Sequence, residues 1–110
     1  MTQTIMNQDS IRVHKWSGGP GPDETAIRKM LVAEGLQPYL WSNGPEDVYG
    51  THSHGFHKVI YVVKGSITFG LPETGDRVLL QAGDRLDLPQ GISHNAVVGD
   101  QGVVCLEAHR

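Results

Sequence analysis

His52-Ser53-His54, followed at a distance by Gly83-Asp84-Arg85-Leu86-Asp87-Leu88-Pro89-Gln90-Gly91-Ile92-Ser93-His94, is the part of the chain on which the fold assignment depends. Side chains alternate faces along an extended backbone, so His52 and His54 project together if this segment is a strand. His94, brought in from another strand, would complete three imidazole ligands around one divalent metal. That is the usual complement of a site that keeps coordination positions open. Gly65, Gly75 and Gly83 fall between strand-like segments, where positive φ is useful. Pro89 lacks an N–H and belongs at a strand edge or end.

Outward from these residues, the chain after Gln37 reads as short β segments separated by turn signals. The candidates are 38–42, 47–52, 57–64, 66–71, 77–81, 85–88, 93–98 and 103–108. Lys64-Gly65-Ser66, Glu73-Thr74-Gly75-Asp76, Ala82-Gly83-Asp84 and Gly99-Asp100-Gln101-Gly102 punctuate them, a pattern that predicts an all-β sandwich or barrel. Val59-Ile60-Tyr61-Val62-Val63 is apolar on both faces. One face would line a core, and the other needs cover from a helix, a second sheet or a partner subunit. Upstream, Ile11–Trp16 alternates like a first strand, and Ser17-Gly18-Gly19-Pro20-Gly21-Pro22 breaks it. Asp23 is placed to cap a helix over about 24–34, with Ile27, Met30 and Leu31 as its apolar stripe and Gly35 as its stop.

A length of 110 residues predicts one domain, and a chain this short gains from dimerising. The net charge of −3 leaves no electrostatic footprint for nucleic acid. No basic amphipathic stretch suggests a membrane surface, and no apolar run approaches the roughly 20 residues that span a bilayer. The start, MTQTIMNQDS, lacks a signal-peptide pattern, so a cytoplasmic location is expected. The single cysteine, Cys105, excludes an internal disulfide and sits in an apolar run as a buried structural thiol would.

These motifs resemble those of the small single-domain cupins. The family's first motif runs Gly, five residues, His-x-His, three or four residues, Glu, six residues, Gly. His52, His54 and Gly65 match it, Lys58 falls on the Glu position, and Glu46 stands at the opening Gly position with Gly44 close by. The second motif runs Gly, five residues, Pro-x-Gly, two residues, His, three residues, Asn. Gly83, Pro89, Gly91 and His94 match it, and Val98 occupies the Asn position. The likeness covers about residues 40–108. It implies an all-β, jelly-roll-like double-stranded β-helix barrel, to which the residue pattern above adds one short N-terminal helix. Residues 1–10 would be a flexible N-terminus and 11–110 a single domain, with a strand and helix over 11–36 and the barrel over about 37–108. A homodimer is expected of so short a chain.

The resemblance implies a divalent transition metal (Fe, Ni, Zn, Mn or Cu) held by His52, His54 and His94, and neutral imidazole accepts all of these ions. Lys58 complicates that picture. An ammonium about 5 Å from a divalent ion is repelled by roughly 7 kcal/mol at an effective dielectric of about 20. Neutralising a lysine at pH 7 costs only about 4.6 kcal/mol. Lys58 is therefore expected to be neutral, to turn away with its head in water, or to face the metal across an anion. The last option makes it a catalytic candidate, as an anion anchor or proton carrier. The implied function is a metal-binding cupin that binds or transforms a small organic anion, by oxygenase-like or isomerase-like chemistry if it is an enzyme. The alternatives are a non-catalytic module that binds or senses a small ligand, with or without metal, and a metal-free isomerase using histidine as base. His14, His57 and His109 read as surface or hydrogen-bonded histidines. Asp84 and Asp87 around Arg85 read as ion pairs or turn hydrogen bonds. Glu107 and Tyr61 could point into a pocket, with core or surface packing as the default.

Overall fold

In the computed structural model, residues 11–110 are described; the N-terminal stretch 1–10, expected above to be flexible, lies outside them. The elements are β1 (Arg12–His14), α1 (Glu24–Ala33), β2 (Tyr39–Asn43), β3 (Val48–His52), β4 (Lys58–Leu71), β5 (Asp76–Gln81), β6 (Arg85–Leu88) and β7 (His94–His109). All strand pairs are antiparallel, in the order β1-β6-β4-β7-β2, with β3 also on β7 and β5 also on β4.

The two long strands make the barrel. The first half of β4 pairs with β6 and its second half with β5, while β7 pairs with β3 early and β2 late. Each long strand therefore passes from one half-sheet to the other. The bend falls where the β4–β7 register shifts, between Val62 and Lys64 and between Gly65 and Ile67. This corrects the expectation that Lys64-Gly65-Ser66 and Gly99–Gly102 are turns ending strands. Both are bends inside continuous strands: Val63 is an extra residue on β4, and Gly99-Asp100-Gln101-Gly102 stand opposite Ser66 alone, irregularities that kink the ladder while pairing continues on either side. Gly65 takes φ +80°, and a Cβ there would lie 2.0 Å from the Gly102 carbonyl oxygen.

Ile60, Val62, Ile67, Phe69, Leu80, Leu86, Ala96, Val98 and Cys105 from both half-sheets fill one core. The opposite face of β4 and β7 is covered by α1. Ile27 and Leu31, one turn apart, pack with Val59 and Leu106 in a second buried cluster. Burying those two helix side chains contributes roughly 3–6 kcal/mol. Met30, expected in the same stripe, is instead 37% exposed, so the contact is narrower than the sequence stripe.

The helix begins as its sequence predicts. The Asp23 carboxylate accepts the Ala26 N–H at 2.8 Å, capping a donor the helix cannot satisfy. It ends with the Leu36 N–H on the Leu31 carbonyl and the Gly35 N–H on that of Val32, with Gly35 in the left-handed region. Cys105 is fully buried, and burial pushes its thiol up to about 12.

Asp84 ties the first strand to the barrel. Its Oδ1 accepts the Trp16 N–H and its Oδ2 the Gln81 N–H, both at 2.8 Å, and Lys15 Nζ lies 2.7 Å away. Burial raises its carboxyl pKa, but the Lys15 and backbone hydrogen bonds outweigh burial and hold it below its ordinary value. Asp84→Ala strands two backbone donors and should cost about 3 kcal/mol in urea denaturation. Because the folded value is depressed, this contribution is complete above the ordinary carboxylate range and fades as pH falls through the folded value. The gap between wild type and Asp84→Asn should therefore close in acid.

Candidate metal centre

His52 ends β3 and His94 begins β7, and the two are cross-strand partners. His54 lies two residues beyond the end of β3, in the connection to β4, so its approach does not come from strand alternation. The Gly91 N–H, in the second motif, donates to the His54 carbonyl at 2.8 Å and pins that connection against the loop before His94. The rings converge, with centroids 4.4 Å apart for His52–His94, 4.7 Å for His52–His54 and 5.3 Å for His54–His94. One ring nitrogen from each histidine lies within 4.8 Å of the other two.

Backbone carbonyls orient two of these rings. His52 Nδ1 lies 2.7 Å from the Gly50 oxygen, and His94 Nδ1 lies 2.9 Å from that of Ile92. A carbonyl only accepts, so Nδ1 carries a proton in each ring, and the neutral form of the ring keeps its lone pair on Nε2. Burial, and then the charges around them, lower the pKa of His54 and His94. Both are thus neutral near pH 7, the state a metal requires. This donor set fits a divalent transition metal. The orienting hydrogen bonds match those that fix ligating histidines.

Lys58, the first residue of β4, shares its face with Ile60 and Val62 and points inward. Its side chain is only 15% exposed, and Nζ lies 3.4 Å from His54 Nε2 and 3.2 Å from Glu107 Oε2. The reading in which its head turns out to water is therefore wrong. An anion does accompany it, but that anion is a residue of the chain.

Glu107 is 3% exposed. Its Oε2 accepts from Tyr39 Oη at 2.7 Å and His109 Nε2 at 2.7 Å as well as from Lys58. Its Oε1 accepts from Trp41 Nε1 at 3.0 Å. Burial raises its pKa, but the hydrogen bonds from Tyr39 and His109 and the Lys58 charge overcome this and hold it below its ordinary value. Sequence reasoning left Glu107 to packing, and its position two residues after inward-facing Cys105 was the missed signal. His109, also set aside, stacks on Phe56 with centroids 4.1 Å apart as well as bonding Glu107. Tyr61 faces the other side, beside Arg85.

The imidazoles and Lys58 line a cavity of about 190 Å³ whose remaining walls include Trp41, Tyr49, Ile60, Ile67 and Phe69. His57 is not in this wall, and its buried Nε2 has no hydrogen-bond partner among the described residues. A wider groove of about 480 Å³, bordered by Gly70, Arg77, Asn95 and Val97, lies apart from the imidazoles.

No protein-family model and no curated protein sequence matches the chain. Solved structures do match. Acireductone dioxygenase from Bacillus anthracis, with a cadmium ion in its active centre, is 16% identical and superposes over 98% of this chain and 82% of that one, with a TM-score of 0.66. A DUF861-family protein from Thermotoga maritima is 14% identical over 92% of this chain and all of that one, with a TM-score of 0.63. An RmlC-like cupin from Shewanella frigidimarina is 24% identical over 67% of this chain and 64% of that one, with a TM-score of 0.58. With antiparallel strands and one short helix among the described residues, the molecule is a small cupin-fold domain. No helix of the described residues is long and apolar enough to cross a membrane.

Proposed function

We propose that the protein is a metal-binding cupin that holds a divalent transition metal on His52, His54 and His94 and takes a small organic anion into the adjoining cavity. The observation that carries this reading is the convergence of three imidazoles, two of them fixed through Nδ1 by backbone carbonyls. The cadmium held in the active centre of the structurally similar dioxygenase supports it. A bound divalent ion would act as a Lewis acid on a carbonyl, or activate dioxygen, at the positions the imidazoles leave open.

The chain's own residues select the ligand. Lys58 offers N–H donors in a wall that is otherwise mostly aromatic and aliphatic, and with a divalent ion beside it this suits an anionic head on an apolar body. At about 190 Å³ the cavity is below the roughly 300–1,000 Å³ of drug-sized sites, so the ligand is small. The second reading is a binding module without turnover. It is favoured by the way Lys58 and Glu107 satisfy each other, which commits both groups to a fixed ion pair.

The test is a titration of small carboxylates and β-diketones into Ni(II)-saturated Trp16→Phe protein, in which Trp41 is the remaining tryptophan and reports from the cavity wall. At least one ligand should bind with Kd at or below about 1 mM, only with metal present, and about 10-fold more weakly in Lys58→Met. No binding across the panel, or binding indifferent to both metal and Lys58, contradicts the reading.

A further inference from the structure

We propose that Glu107 is a positioning residue that holds the Lys58 ammonium at the cavity wall and cancels its charge, so that three imidazoles can bind a divalent ion beside a lysine. The inference rests on the metal reading above.

Among the described residues, the cluster of potential ligand atoms contains His52, His54 and His94 but not Glu107. The carboxylate therefore acts through Lys58. Among the described residues Lys58 Nζ has two partners, Glu107 Oε2 at 3.2 Å and His54 Nε2 at 3.4 Å. The second belongs to the ring of a candidate metal ligand. With Glu107 removed, the ammonium would keep only that ring as a partner, crowding a candidate ligand and repelling the ion from within the same cavity.

The surroundings of Glu107 are built to keep it in place. Tyr39 is its cross-strand partner on β2, and Trp41, two residues on, shares its face and reaches the other oxygen. His109, two residues further along β7, supplies another donor. Donors from β2, β4 and β7 thus fix both oxygens, and Lys58 meets a carboxylate that cannot swing away. With both side chains present, the pair adds no net charge to the imidazole cluster.

The charge count fixes an order of affinities that a purely structural Glu107 would not produce. Lys58→Met leaves one net negative charge, wild type and Lys58→Met/Glu107→Gln leave none, and Glu107→Gln leaves one net positive charge. Isothermal titration of Co(II) into the apo, untagged full chain, with the visible absorption of bound Co(II) as a second readout, should follow that order. Lys58→Met should bind about 10-fold or more tightly than wild type, and Glu107→Gln about 10-fold or more weakly. The double variant should return to within about 3-fold of wild type.

Folded Glu107→Gln that binds like wild type overturns the proposal, as does a double variant as weak as Glu107→Gln. If Glu107→Gln does not fold, Lys58→Met against the double variant decides. Tighter binding by Lys58→Met supports the charge balance, and equal binding overturns it. Wild type that binds no Co(II), or binding that survives His94→Ala, overturns the metal reading itself. A flat order across the variants with binding lost in His94→Ala overturns only the role of Glu107.

Discussion

Replacing His94 by alanine should weaken transition-metal binding by about 100-fold or more. His94 is 2% exposed, is the cross-strand partner of His52, and has its Nδ1 held on the Ile92 carbonyl. Its Nε2 is thus a preorganised donor, and loss of one ligand in three leaves two imidazoles on the more exposed side of the cluster. Competition against a chromophoric chelator measures the loss, with a thermal melt confirming that the variant folds. His57→Ala is the control. Its ring is outside the cavity wall, so affinity should stay within about 3-fold of wild type. Equal weakening by the two substitutions would mean that the cluster does not hold the metal.

Gly65→Ala should cost about 4 kcal/mol or more, or prevent folding altogether. Two effects add at this position. The residue sits at φ +80°, which costs an L side chain roughly 1–2 kcal/mol. The new Cβ would also fall 2.0 Å from the Gly102 carbonyl oxygen, a backbone atom on the neighbouring strand. It can be accommodated only by parting β4 from β7 at the bend that carries both strands between the half-sheets. Gly75→Ala separates the two effects. Gly75 has the same φ of +80° but open space around the added carbon, so only the roughly 1–2 kcal/mol conformational cost should appear. Urea midpoints of the two variants measure the contrast. Similar losses at both positions would show that the close approach of the strands contributes nothing.

The histidine and glycine spacing made the barrel legible because backbone turns and metal ligands tolerate few residue types. The helix was legible from Asp23 to Gly35 for the same reason, since caps demand particular chemistry. The continuity of β4 and β7 was hidden. Gly65 and Gly102 look like turn residues, and only the paired strand shows that they bend a ladder instead of ending it. Facing was the other gap. Val59–Val63 and Val103–Leu106 are apolar on both sides, so alternation alone could not say which side was the interior. Once α1 is seen over Val59 and Leu106, the opposite parity becomes the interior. Lys58 then falls into line with Ile60 and Val62, and Glu107 with Cys105 and Val103. The ion pair that answers the lysine problem was thus present in the sequence but could not be assigned a side.

The measurement that bears most directly on the account is the metal content of the chain, expressed without a histidine tag and incubated in turn with Fe(II), Ni(II) and Zn(II) before desalting. The account predicts about one equivalent of at least one of these ions per chain, lost on His94→Ala. Less than about a tenth of an equivalent of every ion would contradict it, since a preformed three-imidazole cluster should retain a divalent transition metal.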